Sequence, residues 1–206
     1  RDANLSIRRG ERIGIVGETG SGKSTLVDLF MGLLEPTSGE LLVDGAPVRG
    51  EQLRRWRGAI AHVPQAIFLA DASIAENIAF GVPRAGIDQA RLEQAAKQAK
   101  ISSFIDSLAD GYDTRVGERG VRLSGGQRQR IGIARALYKQ AAVLVFDEAT
   151  SALDQATENE VIGAIEALSA DLTIVMIAHR PSTLKRCDRI IRVIQGELHT
   201  EENVQV

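Results

Sequence analysis

The chain has 206 residues, 44% of them hydrophobic and 25% charged, with a formal net charge of −2. That is enough apolar material for a sizeable core, and the missing basic excess argues against a nucleic-acid binder. One cysteine, Cys187, excludes an intrachain disulfide framework and makes a reduced setting the default; no apolar run approaches the roughly 20 residues that span a bilayer.

The chain opens on Arg1, and Asn4-Leu5-Ser6-Ile7 alternates like a strand already under way, so it reads as a fragment of a longer polypeptide. Residues 4–7 and 12–16 are predicted as two strands around the turn Arg9-Gly10. A helix follows with Leu26, Leu29, Phe30 and Leu33 on one face, ended by Pro36-Thr37-Ser38-Gly39. Leu41 to Val48 reads as a hairpin around Asp44-Gly45. A short helix over 51–57 and a strand over Ile60–Val63 come next. Helical spacing or composition marks 73–80, 88–100, 101–108 and 125–139. Then come a buried strand at Val143–Phe146, a helix over 155–168, a buried strand over 172–178, and a final hairpin from Ile190–Val193 through Gly196 to Glu197-Leu198-His199. Apolar β-branched runs alternating with helices imply a parallel sheet covered on both faces. The helical middle, about 73–140, reads as a subdomain inserted into one domain spanning 1–206.

Gly17-Glu18-Thr19-Gly20-Ser21-Gly22-Lys23-Ser24-Thr25 fits G-x-x-x-x-G-K-[S/T], placed between a predicted strand and a predicted helix. A polyphosphate needs several backbone N–H donors converging on it, and glycines let the backbone wrap that closely. The helix starting near Lys23 adds its positive dipole end. Lys23 supplies a cation, and the Ser24 hydroxyl is placed for Mg²⁺. Val143–Phe146 runs into Asp147 and Glu148. Ligands gather at the carboxyl ends of parallel strands. Asp147 is thus a candidate Mg²⁺ ligand, and Glu148 a candidate for polarising an attacking water. Strand-end acids are often merely solvated; the phosphate loop is what gives this pair weight. Arg54, Arg55 and Arg57 beside Trp56 read as a solvated helix face with one core tryptophan.

Leu123-Ser124-Gly125-Gly126-Gln127-Arg128-Gln129-Arg130 resembles the signature of ATP-binding cassette (ABC) ATPases. On physical grounds alone, Ser124 can cap a helix that begins at the two glycines, making a second anion-facing helix N-terminus. Gln65 resembles the family's Q-loop glutamine, Ser151-Ala152-Leu153-Asp154 its D-loop, and His179 its switch histidine. The resemblance implies a P-loop NTPase fold, α/β, with a mainly parallel sheet, an antiparallel β subdomain and an inserted helical subdomain. It implies ATP and Mg²⁺ as cofactors and a second such domain, identical or not, packed head to tail. ATP would lie between the phosphate loop of one copy and Ser124, Gly125, Gly126 and Gln127 of the other. Lys23, Ser24, Gln65 and Asp147 would serve the phosphates and Mg²⁺. Glu148 would act as general base, His179 would contact the γ-phosphate, and Asp154 would report across the interface.

About sixty residues separate Gln65 from the signature, too few for a long coiled-coil insertion. Ala72 to Ile78 and Val116-Gly117-Glu118-Arg119-Gly120 resemble exporter segments. That implies the motor of an exporter or flippase at the cytoplasmic face of an inner or plasma membrane. Transmembrane domains would precede Arg1, with 66–80 and 115–121 as their contact segments. A soluble ABC ATPase acting on nucleic acid or the ribosome is the alternative. Residues 1–13 hold no aromatic for the family's adenine stacking, and Pro181 stands where exporters usually have leucine.

Overall fold

The computed structural model describes residues 2–148, 153–166, 171–177 and 184–202. In chain order the elements are β1 (Arg12–Val16), α1 (Lys23–Phe30), β2 (Leu42–Val43), β3 (Ala46–Pro47), α2 (Gly50–Ala59), β4 (Ile60–Val63), α3 (Ile74–Ile78), α4 (Gln89–Gln98), α5 (Ser102–Asp106), α6 (Gly125–Tyr138), β5 (Val143–Asp147), α7 (Gln155–Glu166), β6 (Thr173–Ile177), β7 (Arg189–Ile194) and β8 (Glu197–Glu202). The described residues fall into two compact units. One draws on 2–61, 141–148, 171–177 and 184–202, the other on 62–140 and 153–166.

The strands of the main sheet follow the order β4-β5-β6-β1-β7-β8, and β5, β6, β1, β7 and β8 belong to the first unit. β5, β6, β1 and β7 run parallel, and β8 returns antiparallel on β7. β2 and β3 make a separate antiparallel pair around Asp44-Gly45. Ile13, Ile15, Val145, Val175, Ile177, Ile191 and Val193 form a core with Val27 and Met31 of the α1 segment. Burying one such side chain is worth about 1.5–3 kcal/mol. An exposed ion pair such as Arg49–Glu40 or Arg9–Asp171 is worth about 0–1 kcal/mol. Apolar packing therefore fixes this unit, which is why its strands were legible as apolar runs.

Two expectations change. Residues 4–7 form no strand, although Leu5 and Ile7 pack on the core. Their alternation reports one buried side, and burial here comes without a backbone ladder. The α1 helix ends at Phe30, earlier than the proline turn suggests. Gly32 at φ 69° closes it, with Gly32 N–H on Leu29 O at 3.0 Å and Leu33 N–H on Asp28 O at 2.8 Å. This is the paired C-terminal bonding that a left-handed glycine permits. Leu33 is consequently 54% exposed, and the buried row is Lys23, Val27 and Met31.

The second unit is helical. α6 packs against α3 and α4, and α7 against α4. Ser73 caps α3 in a reciprocal box with Glu76, and Asp88 caps α4 by accepting from Arg91 N–H at 3.0 Å. The same Ser73 contacts hold the Glu76 carboxyl below its usual range, with the Ser73 hydroxyl as the largest cause.

Candidate functional site

The loop after β1 is shaped by its glycines. Gly20 has φ 80° with open space where a Cβ would project, and Gly22 has φ 110°. Having no side chain, Gly22 cannot cap α1, so the first-turn N–H groups keep their capacity for an anion. The Lys23 ammonium is buried and donates to Gly17 O and Glu18 O, both at 2.9 Å, drawn across the loop. Ser21 Oγ is buried without a hydrogen-bond partner among the described residues. Open space at Gly20, a folded-in cation and an orphaned hydroxyl fit a polyphosphate. Ser24 and Thr25 are exposed on the first turn of α1.

The far end of α1 is also secured. Trp56 Nε1 donates to Phe30 O at 2.8 Å, and the Phe30 and Trp56 rings meet edge to face at 5.5 Å. Arg57 donates through Nε and Nη2 to Gly32 O. A cation at a helix C-terminus opposes the negative dipole end. Trp56 and Arg57 thus clamp the helix tail. The sequence reading missed this role, because nothing in a basic helix face reveals which carbonyls it will meet.

Sheet register places the acidic pair. Ile15 of β1 pairs with Ile177 of β6, which pairs with Asp147 of β5. Two strand spacings, about 10 Å, therefore separate the Asp147 backbone from the strand that feeds the phosphate loop. Glu148 follows at φ 49°, its N–H on Ile177 O at 3.1 Å. Left-handed backbone at a non-glycine residue turns the chain sharply, so the two consecutive carboxylates leave in different directions. Among the described residues no group of three or more histidine, cysteine or acidic side chains is arranged to hold a metal alone.

In the second unit, Ser124 is the N-cap of α6. Its hydroxyl accepts from Gln127 N–H at 3.2 Å, and Gln127 Oε1 accepts from Ser124 N–H at 2.7 Å. Gly125 and Gly126 form the first turn. Gln65 is exposed two residues after β4. Asp154 accepts from Thr157 N–H at 3.0 Å and Thr157 Oγ1 at 2.6 Å at the start of α7. These bonds, the Thr157 hydroxyl first, hold its carboxyl below the ordinary carboxylate range. His179, Ser151, Ala152 and Pro181 lie outside the described residues.

Two expected contact segments are hydrogen-bonded to each other within this unit. Val116 N–H donates to Ala72 O at 3.1 Å, and Ile74 N–H to Thr114 O at 3.0 Å. Behind them the fully buried Asn77 holds Ala70 N–H at 2.9 Å, Ala70 O at 3.0 Å and Ser73 O at 3.0 Å. Arg135 of α6 donates to Asn77 O at 2.8 Å and Phe68 O at 3.0 Å, and lies 4.7 Å over the Phe80 ring. A buried asparagine beside helical spacing was the available signal for this network, and the sequence reading did not use it.

Comparison with known proteins bears on family and fold. The ABC transporter family matches over residues 1–151. An ATP-dependent lipid A-core flippase of Ralstonia nicotianae is 45% identical over 95% of this chain and 33% of its own length. The putative multidrug export ATP-binding/permease protein YgaD of Bacillus subtilis is 45% identical over 96% of this chain and 34% of its own. The solved structure of a bacterial Atm1-family ABC exporter with ATP bound matches with a TM-score of 0.88 at 42% identity, over 95% of this chain and 34% of its own. The chain spans about a third of the length of the curated relatives it matches. It belongs to the ABC transporter family, as an ATP-binding domain.

Proposed function

We propose that this domain is the motor of a membrane exporter or flippase, and that it works as one half of a head-to-tail pair. The observation that carries the reading is that one chain holds two glycine-started helix N-termini, at α1 and at α6. One triphosphate would lie between the phosphate loop of one copy and Ser124, Gly125, Gly126 and Gln127 of the other. Residues 17–25 bind and orient the phosphates, with Lys23 as the cation. Ser24, Gln65 and Asp147 would hold Mg²⁺, which when bound neutralises charge on the phosphates. Glu148 orients the attacking water and accepts its proton, and His179 contacts the γ-phosphate. Asp154 reports between copies.

The helical segment 73–140 serves as the subdomain that carries the signature, with 66–80 and 115–121 facing membrane domains at the cytoplasmic side. The named relatives are exporters and flippases, which favours transport over the soluble alternative. Among the described residues no helix is long and apolar enough to cross a membrane, so the reading assigns translocation to other parts of the whole protein. Shared sites make turnover depend on association. The ATPase rate per molecule should rise with protein concentration, and Ser124→Arg should remove that rise. A Ser124→Arg chain that hydrolyses ATP at the full rate regardless of concentration would sink the paired-site reading.

A further inference from the structure

The phosphate loop is held on its outer side by the turn between β7 and β8. Gly196 N–H donates to Ser21 O at 2.9 Å. A Cβ on Gly17 would collide with Val193 O, and one on Gly22 would touch Gly196 Cα and Val193 Cγ1 at 3.8 Å. Register carries the contact. Val16, the last residue before the loop, pairs with Arg192, so β7 runs on beside the loop for its final residues. The turn itself is Gln195-Gly196, with φ 49° and 85°, closing the Ile194–Glu197 pair. Both central residues at positive φ give a tight turn whose twist matches its strands. That stiffness fixes where the Gly196 N–H points.

We infer that the β7–β8 turn is a positioning element for the phosphate loop, so that nucleotide affinity depends on a residue, Gly196, that stands behind the loop. The inference rests on residues 17–25 holding the phosphates. Its logic is preorganisation. The loop must keep several N–H groups converged in the absence of ligand, and glycines give it freedom to relax. A bond from a rigid hairpin to the middle of the loop removes part of that freedom. The coupling is reciprocal, since whatever the turn gives the phosphates, bound phosphates return to the turn.

The test uses the whole 206-residue chain, whose one cysteine, Cys187, lies upstream of the turn. Segment 1–186 is joined there to a synthetic 187–206 segment in which Gly196→glycolate replaces the amide by an ester, which deletes the N–H and weakens Gln195 C=O as an acceptor while keeping the side chains. Against an all-amide chain joined the same way, ATP should bind roughly 3- to 10-fold more weakly. Amides of residues 21–25 should exchange faster without nucleotide. Equal affinity in the two chains overturns the inference. In the unmodified chain, saturating ATP should slow exchange of the Gly196 amide; no change there also overturns it, and this arm decides if the ester chain fails to refold. Lys23→Ala in the same binding assay separates the two levels. If Lys23→Ala binds normally, the reading of the loop fails. If it loses ATP while the ester chain binds like its control, the brace alone fails.

Discussion

Glu148 holds a left-handed backbone at φ 49°, a conformation that costs a non-glycine residue about 1–2 kcal/mol. Strain at a residue with a candidate chemical role is the pattern expected when geometry serves reaction over stability. Glu148→Gln keeps the shape and removes the proton acceptor. Hydrolysis should fall by about 10²- to 10⁴-fold while ATP affinity stays within about threefold. A rapid-quench assay beside equilibrium binding checks both, and a normal rate would refute the role. Ser124→Ala removes the acceptor for Gln127 N–H, and chemical denaturation should record a loss of about 1 kcal/mol. Asp154 supplies a pH-dependent cap. Its carboxyl is held below the usual range by Thr157, so its contribution is present above the unfolded-state value and is lost as pH falls through the lowered one. Asp154→Asn should flatten that acid limb, and urea unfolding from neutral to acid pH would show it.

At the scale of elements, α6 is the organiser of the helical unit. A Cβ on its Gly132 would collide with Ile67 Cδ1 and Cγ1. Helix propensity favours alanine over glycine by about 1 kcal/mol, but overpacking costs about 1–3 kcal/mol. Gly132→Ala should therefore be destabilising or neutral, where an exposed helix glycine would gain. Asn77→Ala should cost about 1–3 kcal/mol, since it takes the Oδ1 acceptor from Ala70 N–H, whereas Ala70 O keeps Ala72 N–H and Ser73 O keeps the backbone N–H of residue 77. Thermal melts of both variants check these signs. The same elements show what the sequence made legible. β5 and β6 are mostly apolar runs, and their starts and the end of β5 agreed within a residue, while the expected end of β6 at 178 lies outside the described residues. The Ser124 cap was readable because capping is local. The end of α1 was not, because Pro36 is the louder punctuation, and what a side chain at Gly32 would collide with is Leu53 Cδ1, twenty-one residues further along the chain. The bonds from Arg135 to Asn77 and from Gly196 to Ser21 join residues far apart in sequence, and no local pattern announces them.

For the whole chain, ligand binding is the main lever on stability. At free ATP near a hundred times the dissociation constant, the folded state should gain about 2.7 kcal/mol. Calorimetry with and without ATP and Mg²⁺ measures this, and a melting temperature indifferent to nucleotide would contradict binding by the folded state. Trp56 adds a practical consequence. It is the chain's one tryptophan, and its indole is anchored to Phe30 O at the tail of the helix whose head is proposed to meet the phosphates. Any slight rotation or tightening of that helix alters the hydrogen bond and ring contact that set the emission wavelength. The molecule therefore carries its own fluorescent gauge, and ligand occupancy becomes readable in a cuvette without a dye, a label or an added substitution.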